Sequence, residues 1–381
     1  LGLYPDYAAL SGVPWPEACV DFDPQRALPR PYRPFRWPYH QTMTMSKLEP
    51  DWWLELENTY KSRIAERKQL YHIHGKLILD SLPGEEVKVA CREMMELVVM
   101  WLAKRYPKWF SLVEDRDVAE GKILVNKILG TRTELDNGLS PLMVLLENVP
   151  EDFALMFPTI VPSLDSNEPA KVVYTLRAGV ICSSIGWSLG TKIGCSLHDI
   201  HHTTGPVPHY ATKMTVAMDR FFARSLPPSK PIQRGSWSFE LGKPLFILPD
   251  DAEHGAKRST QDQSLKLEDV HLRVDWQTLR RLPVSGAVCL NYKAVFTELA
   301  ELRGEKGVPA LVGKLLREGD REILTYKEVW HVEHLIIPTM ERWDREQRER
   351  GVVDRGWDIK TLENSPFYEG WEERWRGRQG F

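Results

Sequence analysis

Three histidines fall within five residues at His198, His201 and His202, and two prolines, Pro206 and Pro208, follow at once. Neutral imidazole is the side chain that most often ligates a metal in proteins. Proline fixes its own φ and narrows the conformations open to the residue before it, so the pair stiffens the backbone beside the rings. His198 and His202 stand at i, i+4, and His331 and His334 at i, i+3, spacings that bring two rings to one helix face. For His331 and His334, packing or solvent exposure on a long amphipathic helix is the plainer reading. The same stretch holds Gly186-Trp187-Ser188-Leu189-Gly190, a formal nucleophile-elbow match. An elbow needs a strand before the serine and a helix directly after it. Residues 178–184 suit the strand, but Thr191, Ile193 and Gly194 are poor helix formers.

A third group runs from Leu272 to Pro283. On a strand, Arg273, Asp275 and Gln277 share one face while Val274, Trp276 and Thr278 share the other. An inward guanidinium and amide would suit a carboxylate or a polar pocket; turned outward, they make a solvated face. For the histidine group, a tetrahedral zinc and a single axial imidazole on a haem fit the spacing equally well. Nucleotide loops are absent. Gly307 and Gly313-Lys314 are separated by five residues where a phosphate loop has four, Leu315 replaces the required Ser or Thr, and no G-x-G-x-x-G occurs.

These groups need a frame. The 381 residues suffice for one large core or two modest domains, and 42% hydrophobic with 27% charged residues is ordinary for a globular protein. A net charge of −3 gives no bulk attraction to nucleic acid or acidic membranes. The five cysteines are scattered without a C-x-x-C, which speaks against a zinc ribbon, an iron–sulfur cluster or a disulfide framework. That usage suits the cytoplasm or another reducing compartment. No apolar run approaches the ~18–20 residues that span a bilayer. The chain starts at Leu1, so an upstream anchor stays open.

Residues 1–50, dense in proline and aromatics, read as an extended arm, with Trp15 and Trp37, like Trp371 and Trp375 at the other end, as anchors. Residues 51–120 read as a helical region, with helices over 58–80 and 85–105. Over 121–292, short β-rich runs (123–125, 153–157, 172–174, 178–182, 237–239, 271–274 and 287–290) surround one helix at 207–225, with 251–269 as an exposed loop. This pattern is α+β, an antiparallel sheet with packed helices, and not βαβ alternation. Residues 293–381 return to helix at 294–303, 306–318 and 326–348.

Together the blocks resemble the haem-dependent oxidative N-demethylase alpha-subunit family. The matching pieces are Tyr174 to Cys182, Trp187-Ser188-Leu189 with Lys192-Ile193-Gly194, and Ile200-His201 with Pro206-Val207-Pro208 and Tyr210. Asp219-Arg220-Phe221-Phe222, Arg234 with Trp237, and Leu272-Arg273 with Gln277 to Pro283 complete the set. The ending SPFYEGWEERWRGRQGF is similar to the fungal branch. Ser236 and Asp275-Trp276 depart from the bacterial pattern, and four residues separate His201 from the prolines.

The resemblance implies a PAS-like sheet over 121–292 carrying haem b, and oxidation of a small secondary amine by dioxygen. It implies His201 as the axial ligand, with His202 as second choice, and Trp187 in the cofactor pocket. Lys192, Arg220 and Arg234 become candidates for the propionates, Arg273 and Gln277 for polarising oxygen or positioning substrate. With no flavin, nicotinamide or iron–sulfur motif in the chain, electrons are expected from a separate reductase. A haem-based gas or redox sensor on the same scaffold, and a serine hydrolase using Ser188, are the alternatives.

Overall fold

Apolar side chains alternate along the longest strands, and each alternation feeds two cores, one on either side of a sheet. The computed structural model describes residues 4–40, 43–114, 121–136, 138–161, 171–203, 206–210 and 214–381. Among these are ten strands: β1 (Ser46–Lys47), β2 (Leu79–Ser81), β3 (Phe110–Glu114), β4 (Lys122–Asn126), β5 (Thr131–Glu134), β6 (Asp152–Val161), β7 (Lys171–Val180), β8 (Ile232–Leu241), β9 (Val270–Arg281) and β10 (Val288–Glu298). Seven form one antiparallel sheet in the order β1-β8-β9-β10-β6-β7-β2, and β3-β4-β5 form a small second one. The protein is α+β.

Phe153, Leu155 and Phe157 of β6, Leu272, Val274 and Trp276 of β9 and Cys289 of β10 enter the larger core. Helices Tyr60–His74, Glu85–Arg105, Pro141–Asn148 and Val308–Glu318 contribute to that core from the other side. Ala154, Met156, Tyr174, Leu176, Leu279 and Val288 face the opposite way into a second core, covered by residues from the 187–226 segment. Antiparallel sheets commonly leave one face wet. This one is covered on both.

Several elements differ from their sequence reading. Helix Glu85–Arg105 matches, with Glu85 and Glu86 in the first turn and Lys104 and Arg105 in the last to suit its dipole. The helix expected over 58–80 stops at His74, where Gly75 takes a φ of 50°, and Leu79–Ser81 pairs with β7 instead. Residues 172–174 and 178–180 belong to one strand, β7, which ends before 181–182 and pairs with β6 across a register shift at Leu155/Met156. Residues 294–298 are strand, because Ala294, Val295 and Phe296 pair with Asp275, Val274 and Arg273; only Leu299–Leu302 turns helical. The helix expected over 207–225 is α-helical at Thr215–Arg220, with Tyr210 and Met214 π-wound before it and a π-helical turn at Phe221–Ser225 after it. Its stretch 211–213 lies outside the described residues. The polar 251–269 loop contains a helix, Ala252–Arg258, capped by Asp251 Oδ1 accepting from His254 N at 2.8 Å.

The proline-rich arm is docked, with Tyr32 and Phe35 buried. Arg33 meets Glu305 through two hydrogen bonds of 2.7 Å, both side chains buried, and Trp375 Nε1 donates to Leu28 O at 2.9 Å. No helix among the described residues is long and apolar enough to cross a membrane.

Two buried charges report on this packing. Arg67 of helix Tyr60–His74 pairs with Asp152 at the start of β6, and Asp152 also accepts from Cys182 N at 2.9 Å and Ser183 N at 2.8 Å. Removing one partner of a buried pair strands the other. Asp152→Asn is therefore expected to lose roughly 3–5 kcal/mol in urea denaturation, against under ~0.5 kcal/mol for the surface control Glu253→Gln. Next to it in sequence, Glu151 is fully buried, which pushes its carboxyl up to about 8 against the pull of Lys293 and of the Asn291 hydrogen bond. An acid raised on folding stabilises most below its unfolded value of 4.5, and that contribution is lost as pH climbs toward about 8. Glu151→Gln, which cannot ionise, should lose less stability than the native chain between those limits; parallel pH profiles would refute this.

Candidate active site

After β7 the chain turns at Gly186 (φ 74°), forms the short helix Leu189–Lys192, turns again at Gly194 (φ 85°) and bridges back to the sheet at Thr175 and Ser196. Asp199 Oδ2 accepts from Ser196 N at 3.1 Å and Ser196 Oγ at 2.7 Å, which fixes the start of the turn. Asp199–Thr203 is wound as a π-helix, a form frequent at functional sites.

That winding separates the three histidines. His198 and His202 are exposed, with ring centroids 5.0 Å apart. His201 turns the other way and stacks on Tyr210, centroids 5.0 Å apart and planes 18° from parallel. Its Nδ1 lies 2.8 Å from Leu197 O. A carbonyl only accepts, so Nδ1 carries the proton and Nε2 keeps a lone pair. Burial holds the imidazole below its ordinary pKa, and the nearby Arg234 and Lys192 charges act the same way, while the Leu197 bond opposes them. The ring is a neutral nitrogen donor. No group of three His, Cys, Asp or Glu suited to a metal occurs among the described residues.

The other candidates fall into two sets. Lys192 is buried with Nζ 3.2 Å from Ile200 O, and burial lowers its pKa. Trp187 is half-buried against the second core. Across β8, β9 and β10, Arg234, Gln277 and Tyr292 lie in one cross-strand row. Arg234 has no hydrogen bond or ion pair to any described residue, its Nε is buried without a partner, and burial pulls its pKa down.

Arg273 does not suit the role of polarising oxygen. It is 1% exposed, and its Nε donates to Asp275 Oδ1 at 2.9 Å, Nη1 to Pro244 O at 2.8 Å and Nη2 to Ser183 O at 2.6 Å. Its donors bolt two loops to the sheet. Arg220 is exposed, and no hydrogen bond or ion pair brings it to the others.

Ser188 lacks an elbow's geometry. It is 0% exposed, its Oγ has no hydrogen-bond partner, and Thr191 Oγ1 closes the turn onto Ser188 O at 2.8 Å. The glycines of the motif have packing reasons: Gly186 takes a left-handed φ, and a Cβ at Gly190 would stand 2.6 Å from Leu77.

Two cations escaped sequence reasoning. Arg281 donates through Nε to Leu226 O at 2.9 Å, through Nη1 to Gly286 O at 2.8 Å, and through Nη2 to Tyr174 Oη at 3.1 Å and to Phe222 O. It fastens the cover of the second core. Lys327 reaches β8 from the C-terminal region, which no local pattern foretells. His331 and His334 are held by backbone, Nδ1 of the first to Glu328 O at 2.8 Å and Nε2 of the second to Asp262 O at 2.9 Å. His331 borders a cavity of about 180 Å³, where Arg258 occupies Glu240 through two contacts of 2.6 Å.

A large antiparallel sheet covered on both faces, with cations and a neutral imidazole on the second side, defines an α+β protein. The family model described as haem-dependent oxidative N-demethylase, alpha subunit-like, matches residues 44–337, and the chain belongs to that family. The match takes in every strand of the large sheet, the histidine segment and Lys327.

For Ser188, a buried hydroxyl without a partner costs folding about 1–3 kcal/mol. Ser188→Ala is expected to match or exceed the native chain in thermal stability, and a serine-directed phosphonate should leave the protein unlabelled; stoichiometric labelling at Ser188 would restore the hydrolase reading.

Proposed function

We propose that the protein holds a haem b against the second face of the large sheet, with His201 Nε2 as axial ligand, and works as an oxygen-dependent oxidoreductase on a small amine. The observation that carries this is the His201 ring: neutral, half-buried, its Nδ1–H committed to Leu197 O and its Nε2 lone pair left over. A ligating histidine needs such an outer partner to set its tautomer and raise its basicity. The donor set fits the group in two further respects. The second core offers apolar surface, and the buried Nε of Arg234 lacks a partner that an anionic edge would supply.

Family membership supports haem dependence and amine oxidation, and the large antiparallel sheet supports the PAS-like reading. Its five central strands run β7-β6-β10-β9-β8, with the histidine segment inserted between β7 and β8. When bound, the haem supplies the one-electron and dioxygen chemistry that amino-acid side chains lack. The chain's own residues do the rest. Leu197 and Tyr210 orient the imidazole. Lys192 and Arg234 place positive charge beside it. Gln277 and Tyr292, in the Arg234 row, present an amide and a hydroxyl to a substrate. Arg281 keeps the cover closed against water. Electrons come from a separate reductase, since the chain has no nucleotide loop of its own.

Haem reconstitution tests the ligand. The native chain should give a Soret band, and His201→Ala should weaken haem binding by at least about tenfold or change the reduced carbon-monoxide spectrum, as loss of a first ligand exceeds the ~10–100-fold cost of losing an outer partner. His202→Ala and His198→Ala should leave both unchanged. A normal spectrum in His201→Ala moves the ligand elsewhere, and a native chain that takes up no haem ends the proposal.

A further inference from the structure

Two cations meet on β8 with one described carboxylate, Asp275, within electrostatic reach of Lys327. Arg234 has no ion pair to a described residue, and its neighbours in electrostatic reach are Tyr32, Tyr39, Tyr292 and Tyr326. Lys327 Nζ donates to Ser236 Oγ at 2.6 Å and lies 5.4 Å from the centroid of the Trp237 ring. Ser236 is two positions beyond Arg234, so both point to the same side of the strand, about 7 Å apart along it. Lys327 and Arg234 repel one another.

The charges facing this spot can be counted. Asp275 sits across from Ser236 in register with it, and it attracts Lys327, but it is already bonded to Arg273 at 2.9 Å. Three cations, Arg273, Lys327 and Arg234, thus share this one described carboxylate. Burial drives Lys327 down to about 8 against the pull of Asp275, and burial lowers Arg234 as well. The ammonium has three donors and spends one on Ser236, while the guanidinium fork can take both oxygens of a carboxylate.

We propose that Arg234 and Lys327 form a carboxylate-binding subsite beside the Arg234-Gln277-Tyr292 row. The carboxylate comes from one of two sources, a haem propionate or the amine substrate itself. The first rests on the haem reading given above. The second does not, and it makes the substrate class an N-methylated amino acid in place of a plain dialkylamine.

Two titrations of the haem-free full chain decide this. In one, ferric protoporphyrin IX is compared with its dimethyl ester by Soret absorbance and tryptophan quenching. In the other, N-methylglycine is compared with dimethylamine by calorimetry. If a propionate is the ligand, the free acid binds at least about tenfold tighter than the ester, the scale of one charge-assisted hydrogen bond. That gap should close in Lys327→Gln and return in Lys327→Arg. If the substrate is the source, acid and ester bind alike, N-methylglycine binds where dimethylamine does not, and Lys327→Gln or Arg234→Gln abolishes its binding.

The proposal is overturned if neither carboxylate changes affinity in the native chain, a comparison that needs no variant to fold. It is also overturned if an affinity difference survives undiminished in both glutamine variants. Failure of the haem reading alone looks different: neither porphyrin binds, and the N-methylglycine titration still judges the subsite by the same criteria.

Discussion

A sheet buried on both faces needs two covers, and the second cover here is one continuous stretch of chain fastened near its ends by arginines of a single strand. Arg273 takes hold of Ser183 O, and Arg281 of Phe222 O and Leu226 O. Between those grips lie the short helix Leu189–Lys192, the π-turn with His201 and the helix Thr215–Arg220. Because β9 is also central to the ladder, the distance between its two arginines sets the span that the cover must bridge. Guanidinium suits this task, since its fork offers several donors in fixed directions and stays charged when buried.

The direction of each histidine is set within that cover. Bonds within the cover, Ser196 to Asp199 and His201 to Leu197, are short-range, so the local winding is set before any ligand arrives. His201 is turned inward onto Tyr210 while His198 and His202 stay outside. A nitrogen donor in a mostly apolar core is tolerable only because it is neutral and its other nitrogen is satisfied.

Much of this frame was legible from residue order alone. Glu85–Arg105 announced itself through helical spacing, and the two faces of 272–278 followed from simple alternation. Other features were not legible, for identifiable reasons. Residues 294–298 are apolar enough for a helix and become strand only because β9 offers a partner. The inward turn of His201 depends on a π-wound stretch, a register that spacing rules for ordinary helices do not anticipate. Arg273 and Arg234 look alike in sequence. What distinguishes them is a set of backbone carbonyls contributed from 183 and 244–245, present around one and absent around the other. Lys327 joins Arg234 across ninety-odd residues, and no short motif encodes such a meeting.

The arm and the tail have a mechanical corollary. Arg33 grips Glu305, Trp375 reaches Leu28, and Trp371 stacks on Phe367 at 4.2 Å beside Trp52. Both segments feed the larger core, and each also serves as part of the other's packing surface. Peeling one away strips the other of its shelter and bares a row of indole rings to solvent. Residues 28–37 and 361–375 thus form one clasp whose two halves share their contacts.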